Sequence, residues 1–455
     1  MLERISHAYL GIFRRCPLLV PLAVIAACGE MVYAILNNYA IPLLVVTDLH
    51  LRAAVLGWVT STFLAAELLL KVPFGRWSDR AGRRPFIIAG PLLAFGSPIV
   101  MAFLPGRFFP VLFPLRAMDG VGSASLWPSV FASVVDVAEA ESRVVAMSVL
   151  NTVYVGSVAL GPALAGAAIA ITGWNRSPFL LASALLAVAI GWAYFGLPAG
   201  LGRQERDGVS GAAAAAPVPD LPLTLTPDRA ASDPPLGSGR PAGSLAVSPD
   251  SPSESRPSGA SGKPSERSLM PIILFITITQ MMAVMMLAQL LVLYANQDLH
   301  IVRRQVLGLI FLVPAGIIAV LSIPIGHVVE RCDRARAVQC ALGVTAAGLW
   351  VIPFVHTLPS LMLLASVVLL AYTVGGPAWL ALVADQSPTD QRGRTMGALT
   401  TAQAAGALLG PVMGGHLWDL SHRYPFIGSA MLLSLAALVA LVFLPRGPRT
   451  RAANC

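Results

Sequence analysis

Charge is what this sequence has least of: only 12% of its 455 residues are Asp, Glu, Lys or Arg, while 56% are hydrophobic. With a mean hydropathy of +0.72, the chain holds more apolar side chains than a soluble core of its length can bury. A water-soluble globular protein is excluded, and the bilayer becomes the solvent. Cysteine is also sparse. Cys16, Cys28, Cys332, Cys340 and Cys455 have neither metal-ligand spacing nor the pattern of a disulfide framework. The sequence lacks a nucleotide-binding loop, a metal cluster and a nucleophile–base constellation, so no enzyme, cofactor or metal is expected. Work done across a membrane must then draw on an ion gradient or on the solute's own gradient.

What is present is length and grease. Twelve nearly uncharged stretches are long enough to cross a hydrocarbon core of about 30 Å, which takes about 20 residues of helix. They fall at 17–46, 54–74, 85–104, 108–135, 142–172, 178–197, 270–294, 306–328, 337–354, 358–384, 394–418 and 424–444. The first is too long for the apolar region of a cleaved signal peptide and reads as a retained helix. The chain is thus expected to be an all-α membrane protein with twelve transmembrane helices. The net charge of +8 alone would suit nucleic acid, but the basic residues alternate by side. Of the 31 Lys and Arg, 24 fall on the side of the termini, six on the other, and Arg116 lies within a span. The positive-inside rule puts both termini in the cytoplasm of a multi-pass protein of the cell (inner) membrane, with no nucleic-acid partner.

Between residues 198 and 269 the composition turns to Pro, Ser, Ala and Gly, as in "SPDSPSESRPSG". Such a segment buries too little apolar area to offset its ordering entropy and is expected to be a disordered cytoplasmic linker. Its flanks are copies. "TDLHLRAAVLG" returns as "QDLHIVRRQVLG", moving Asp48 to Asp298, a displacement of 250. Pro73, Gly75, Asp79 and Arg80 recur as Pro324, Gly326, Glu330 and Arg331, and Gly161-Pro162 as Gly410-Pro411. The expected organisation is a six-helix bundle over 1–197, the linker, a second bundle over 270–445 and a cytoplasmic tail over 446–455. Repeated halves meeting around a midplane cavity are a common transporter architecture.

"GRWSDRAGRR" concentrates charge between the second and third spans. Gly75 would let a neighbouring helix approach, and Arg80, Arg83 and Arg84 would hold a loop at the inner surface. The stretch resembles the signature loop of the major facilitator superfamily, matched by Gly75, Asp79, Arg80, Gly82, Arg83 and Arg84, with a decayed copy at Gly326, Glu330 and Arg331. The resemblance implies that Asp79 caps the N-terminus of the eleventh helix in one conformation and releases it in the other. A contact of that kind is worth about 0.3 to 1 kcal/mol when exposed and up to about 2 when partly buried. The rival reading is a plain topology anchor. "RAMDGVGSA" resembles the family pattern of the fourth helix, with Arg116 in place and Asp119 where Gln is usual. Gly161, Pro162 and Gly166, echoed by Gly410, Pro411 and Gly414, resemble the family's antiporter pattern, with plain packing of kinked helices as the alternative.

Glu30 and Arg116 are charges set deep within their spans. Glu30 lies about 18 Å from one face of the membrane, and Arg116 falls at a similar depth. A charge there costs about 2.5 to 3.5 kcal/mol on insertion scales and needs a partner or a wet cavity. Glu30 is the candidate proton carrier, tuned by Arg116 and Asp119; alternatively Arg116 pairs permanently with Glu30, or with Asp119 alone. A first-helix acid with a fourth-helix Arg resembles proton-driven multidrug antiporters. Glu67 and Lys71 suit a local ion pair. Asn37, Asn38, Tyr39, Gln280 and Gln289 are candidate cavity residues. The expected function is secondary transport, by proton-coupled efflux of small amphipathic molecules, with protons, a small-molecule substrate and the lipid bilayer as partners and a monomer as the working unit. Uptake of a metabolite such as a sugar or organic acid, and a non-transporting receptor or scaffold, remain the alternatives.

Overall fold

The computed structural model describes residue 13 and residues 16–138, 142–202, 269–330, 333–385 and 392–444. Arg331, most of the expected linker and the expected C-terminal tail lie outside the described residues, whose regular structure is helical without strands. In lipid every backbone N–H and C=O must be satisfied internally, and a helix does this within one segment.

In the first half, α1 runs Leu19–Ile35 and continues through π-helical turns at Leu36–Ala40 and Leu43–Asp48. It is followed by α2 (Ala53–Ala81), α3 (Arg84–Ala102), α4 (Leu112–Val137), α5 (Arg143–Thr172) and α6 (Ser177–Gly196). In the second half, α7 comes in two pieces, Met270–Ala288 and Leu291–Gln297, as does α8, Arg304–Leu307 and Leu309–Glu330. Then come α9 (Arg334–Val351), α10 (Leu358–Asp385), α11 (Arg392–Leu420) and α12 (Tyr424–Phe443). Ten of these segments are long and apolar enough to cross a membrane. Absent from the ten are α4, which carries Arg116, Asp119 and Asp136, and α11, with six Gly and three Thr.

The internal repeat is visible in the backbone. His50 and His300, 250 positions apart, both take a positive φ, 52° and 53°. Leu49 N–H donates to Leu44 C=O and Leu51 N–H to Val45 C=O; Leu299 with Tyr294 and Ile301 with Ala295 repeat the pair. The two halves also cross by the same rule. A Cβ added at Gly57 would stand 2.3 Å from the Pro411 carbonyl oxygen, and one at Gly308 would stand 2.2 Å from that of Pro162. Each kink proline thus presents its carbonyl to a glycine of the other half, so the backbones touch where any side chain would separate them.

Three expectations need correction here. The stretch 75–84 is mostly helix: α2 continues to Ala81, and only Gly82, at φ 91°, leaves it. Gly75 makes no close helix crossing, since an added Cβ would meet Pro128 Cβ at an ordinary 3.7 Å. Order also persists past residue 197. Leu201 is buried, and its carbonyl accepts the Arg83 N–H at 2.9 Å, tying the chain after α6 to the turn between α2 and α3.

Candidate functional site

Helices α1, α2, α4 and α5 bring the intramembrane polar residues into two neighbouring groups. Arg116, 1% exposed, donates from Nη1 to Asp119 Oδ2 at 2.8 Å and from Nη2 to Asn37 Oδ1 at 2.6 Å. Its guanidinium lies over the Phe63 ring, 4.5 Å from the centroid, where a desolvated cation gains from the ring quadrupole. Asn37 is oriented in turn by donating to the Tyr33 carbonyl at 3.0 Å. Among the described residues Arg116 Nε and Asp119 Oδ1 have no hydrogen-bond partner of good geometry, and the Ser97 hydroxyl of α3 reaches the Asp119 carboxyl. Arg116 and Asp119 border a cavity of about 50 Å³ with Asn37, Tyr33, Phe63 and Trp127. That size suits water, whereas ligand pockets for drug-sized molecules span about 300–1,000 Å³.

Glu30 stands in the second group. It is 2% exposed, its Oε1 has no hydrogen-bond partner among the described residues, and the polar side chain that reaches the carboxyl is the Tyr154 hydroxyl of α5. The charges of Glu67 and Lys71 on α2 act on it. These two are joined at 3.1 Å, as their spacing predicts. Tyr33 connects the groups, with Glu30, Glu67 and Arg116 all within electrostatic reach of its phenol. Arg116 therefore has its ion pair with Asp119, three residues along its own helix, while Glu30 keeps an unsatisfied carboxyl oxygen. Around Tyr154 the rings of Trp127 and Phe131 form an aromatic wall, with centroids 5.5 Å apart for both Trp127–Tyr154 and Trp127–Phe131.

The uncharged candidates separate. Asn37 borders the first cavity, and Gln280 a small one beside Trp379 and Tyr372. Asn38 is buried. Tyr39 and Gln289 sit where the halves meet instead of in either of these cavities: Tyr39 donates to the Arg304 carbonyl at 2.5 Å, and Gln289 accepts from Thr60 at 2.5 Å. Other bonds between halves gather at the same end. Arg304 pairs with Asp48 at 2.5 Å, Ser61 donates to the Leu408 carbonyl at 2.7 Å, and Asp419 receives Arg52 Nε and the Ala53 and Ala54 amides.

At the opposite end Asp79 is 64% exposed and has Arg83 as its ion-pair partner among the described residues, 3.7 Å away. Arg83 also meets Asp136 Oδ2 at 2.7 Å, and Arg84 donates to the Tyr194 carbonyl at 2.6 Å. Gly326 and Glu330 fall in the last turns of α8. Of the kink-motif glycines, Gly161 packs α5 on the Met31 carbonyl, Gly166 on that of Gln305, and Gly410 and Gly414 pack α11 on those of Met282 and Met286.

The repeated helical halves and a buried acid–guanidinium site define a multi-pass membrane protein of the transporter class. The family model described as Major Facilitator Superfamily matches residues 21–236 and 273–454, and the chain belongs to that family: it is a transporter of small molecules, not an enzyme. It is 24% identical to multidrug resistance protein 2 of Bacillus subtilis (strain 168) over 397 residues, covering 85% of this chain and 86% of that protein. Over 86 residues, 17% of this chain and 22% of the other, it is 33% identical to the quinolone resistance protein NorA of Staphylococcus aureus (strain N315). The crystal structure of the nucleoside transporter NupG superposes with a TM-score of 0.67 at 9% identity, covering 94% of this chain and 100% of that one, which establishes a shared fold.

Sequence reasoning paired Glu67 with Lys71 but missed that the pair faces Glu30. The signal was available: Phe63, Glu67 and Lys71 recur every four residues and so share one face of α2. It also missed Tyr33, Tyr154 and Asp419, whose roles depend on which helices become neighbours.

Proposed function

We propose that the chain exports small amphipathic molecules in exchange for protons, alternating between openings to the two sides of the cell's inner membrane. The working unit is a monomer of two six-helix bundles, with the linker and both termini in the cytoplasm. The Arg52 end then faces outward and is closed, and the Asp79 end faces the cytoplasm. Drug-resistance relatives and the excess of Lys and Arg on the terminal side support this reading. The observation that carries it is the Glu30 carboxyl, buried with one oxygen unpartnered beside Tyr154. An intramembrane acid without an ion pair is best placed to bind and release a proton, because protonation removes the cost of burying its charge. Arg116 is held by Asp119 and Asn37 in the neighbouring group, joined to that acid through Tyr33. The aromatic wall of Trp127, Phe131 and Tyr154 offers an amphipathic solute flat apolar faces next to a carboxyl.

The test is purified protein in liposomes with an imposed pH gradient and a panel of amphipathic fluorescent solutes. Solute is expected to move against the proton flow. Movement along with protons, or flux indifferent to the gradient, refutes proton-coupled export.

A further inference from the structure

We infer that Asp419, at the C-terminal end of α11, is a positioning residue that holds the Arg52 end shut by capping the N-terminus of α2. The inference rests on the alternating-access reading above and adds the contact that sets its balance. The first amides of a helix have no partner within it; in α2 the Val55 amide reaches the Arg52 carbonyl at 3.0 Å, but Arg52, at the N-cap position, makes no side-chain cap bond, which leaves the Ala53 and Ala54 amides. Asp419 supplies both missing acceptors. Its Oδ1 accepts the Ala53 amide at 2.7 Å, and its Oδ2 accepts the Ala54 amide and Arg52 Nε, each at 3.2 Å.

The cap is the stronger part of this contact. The Arg52 side chain is 76% exposed and that of Asp419 11%, so water screens the ion pair while the amide bonds are sheltered. Donors and acceptor belong to different halves of the repeat, so the cap exists only when this end is closed. Opening trades it for water. The cap itself has no copy in the repeat. In α5 the repeat puts Ala170 where α11 has Asp419, and the facing start of α8 is held through Asp48 and Tyr39 instead. At the far end of α2, Asp79 is exposed and, among the described residues, pairs with Arg83 of its own half.

The test is the distance between spin labels at Phe108 and Val302, exposed positions in the two halves at this end, measured in detergent without substrate or pH gradient. Asp419→Ala should raise the population of the long, open distance by roughly tenfold, the scale of a lost cap. Asp419→Asn keeps an acceptor oxygen and should restore most of the closed population, and Arg52→Ala should change little. An unchanged distribution in Asp419→Ala, checked to be folded by its melting profile, overturns the inference, as does an Arg52→Ala effect equal to it. Because nothing is transported in this measurement, a wrong assignment of substrate or proton coupling would leave its result standing.

Discussion

The Arg116 guanidinium lies 2.8 Å from the Asp119 carboxylate, three residues along the same helix, with both side chains at least 95% buried. The family pattern places a neutral Gln at that position, so here the charge of the arginine is balanced within α4 itself. Removing one partner of a buried pair leaves the other charge uncompensated, at a cost of about 3 to 5 kcal/mol. Asp119→Ala should lose stability on that scale in chemical unfolding in detergent micelles. Asp119→Gln, which retains an acceptor for Arg116, should lose clearly less. Equal losses would mean that charge balance contributes nothing here.

Glu30→Gln separates proton carriage from solute passage. The amide keeps the size and much of the polarity of the carboxyl but cannot cycle a proton. Accumulation driven by a pH gradient should vanish in liposomes, while exchange of labelled for unlabelled solute continues. Retained gradient-driven accumulation would remove Glu30 from the coupling scheme.

The charges of Glu67 and Lys71 reach Glu30 from the next helix, with opposite signs. Glu67→Gln removes a negative neighbour and Lys71→Met a positive one, so the two should displace the pH profile of transport in opposite senses. Flux at several pH values in each variant measures this. Displacement in the same sense would indicate a purely structural role for the pair, because packing damage has no reason to follow the sign of the charge removed.

The fold was legible because two strong signals coincide in the sequence: apolar stretches of membrane-spanning length and a displacement near 250 that carries Asp48 to Asp298. Chemistry at a single helix was legible too, as with Glu67–Lys71 and Arg116–Asp119, where spacing fixes the neighbours. What depended on helices from distant parts of the chain was not. Tyr39 and Gln289 read as polar groups for a cavity, yet their partners Arg304 and Thr60 come from the opposite half. A residue's depth in the membrane follows from counting; the direction in which it points depends on helix rotation, here altered by the π-helical turns of α1. The same limit concealed Asp419. One acid near a helix end is unremarkable in sequence until the N-terminus of α2 is found against it.

The crossings at Gly57 and Gly308 make the sharpest steric prediction. In the closed conformation the Pro411 and Pro162 carbonyl oxygens occupy the space that a side chain at either glycine would need. The obstruction is backbone, which a rotamer change cannot relieve, so Gly57→Leu should prevent the Arg52 end from closing and leave the open form favoured. Net flux should stop, and a cysteine placed at Ser61, buried against α11 in the closed form, should react faster with a membrane-impermeant thiol reagent. Gly308→Leu should act in the same way through the other crossing, because the repeat places it against the matching proline. Gly156→Leu is the control: an added Cβ there meets nothing within 4 Å. If Gly57→Leu leaves both flux and labelling unchanged, the contact between these backbones is not part of the transport cycle.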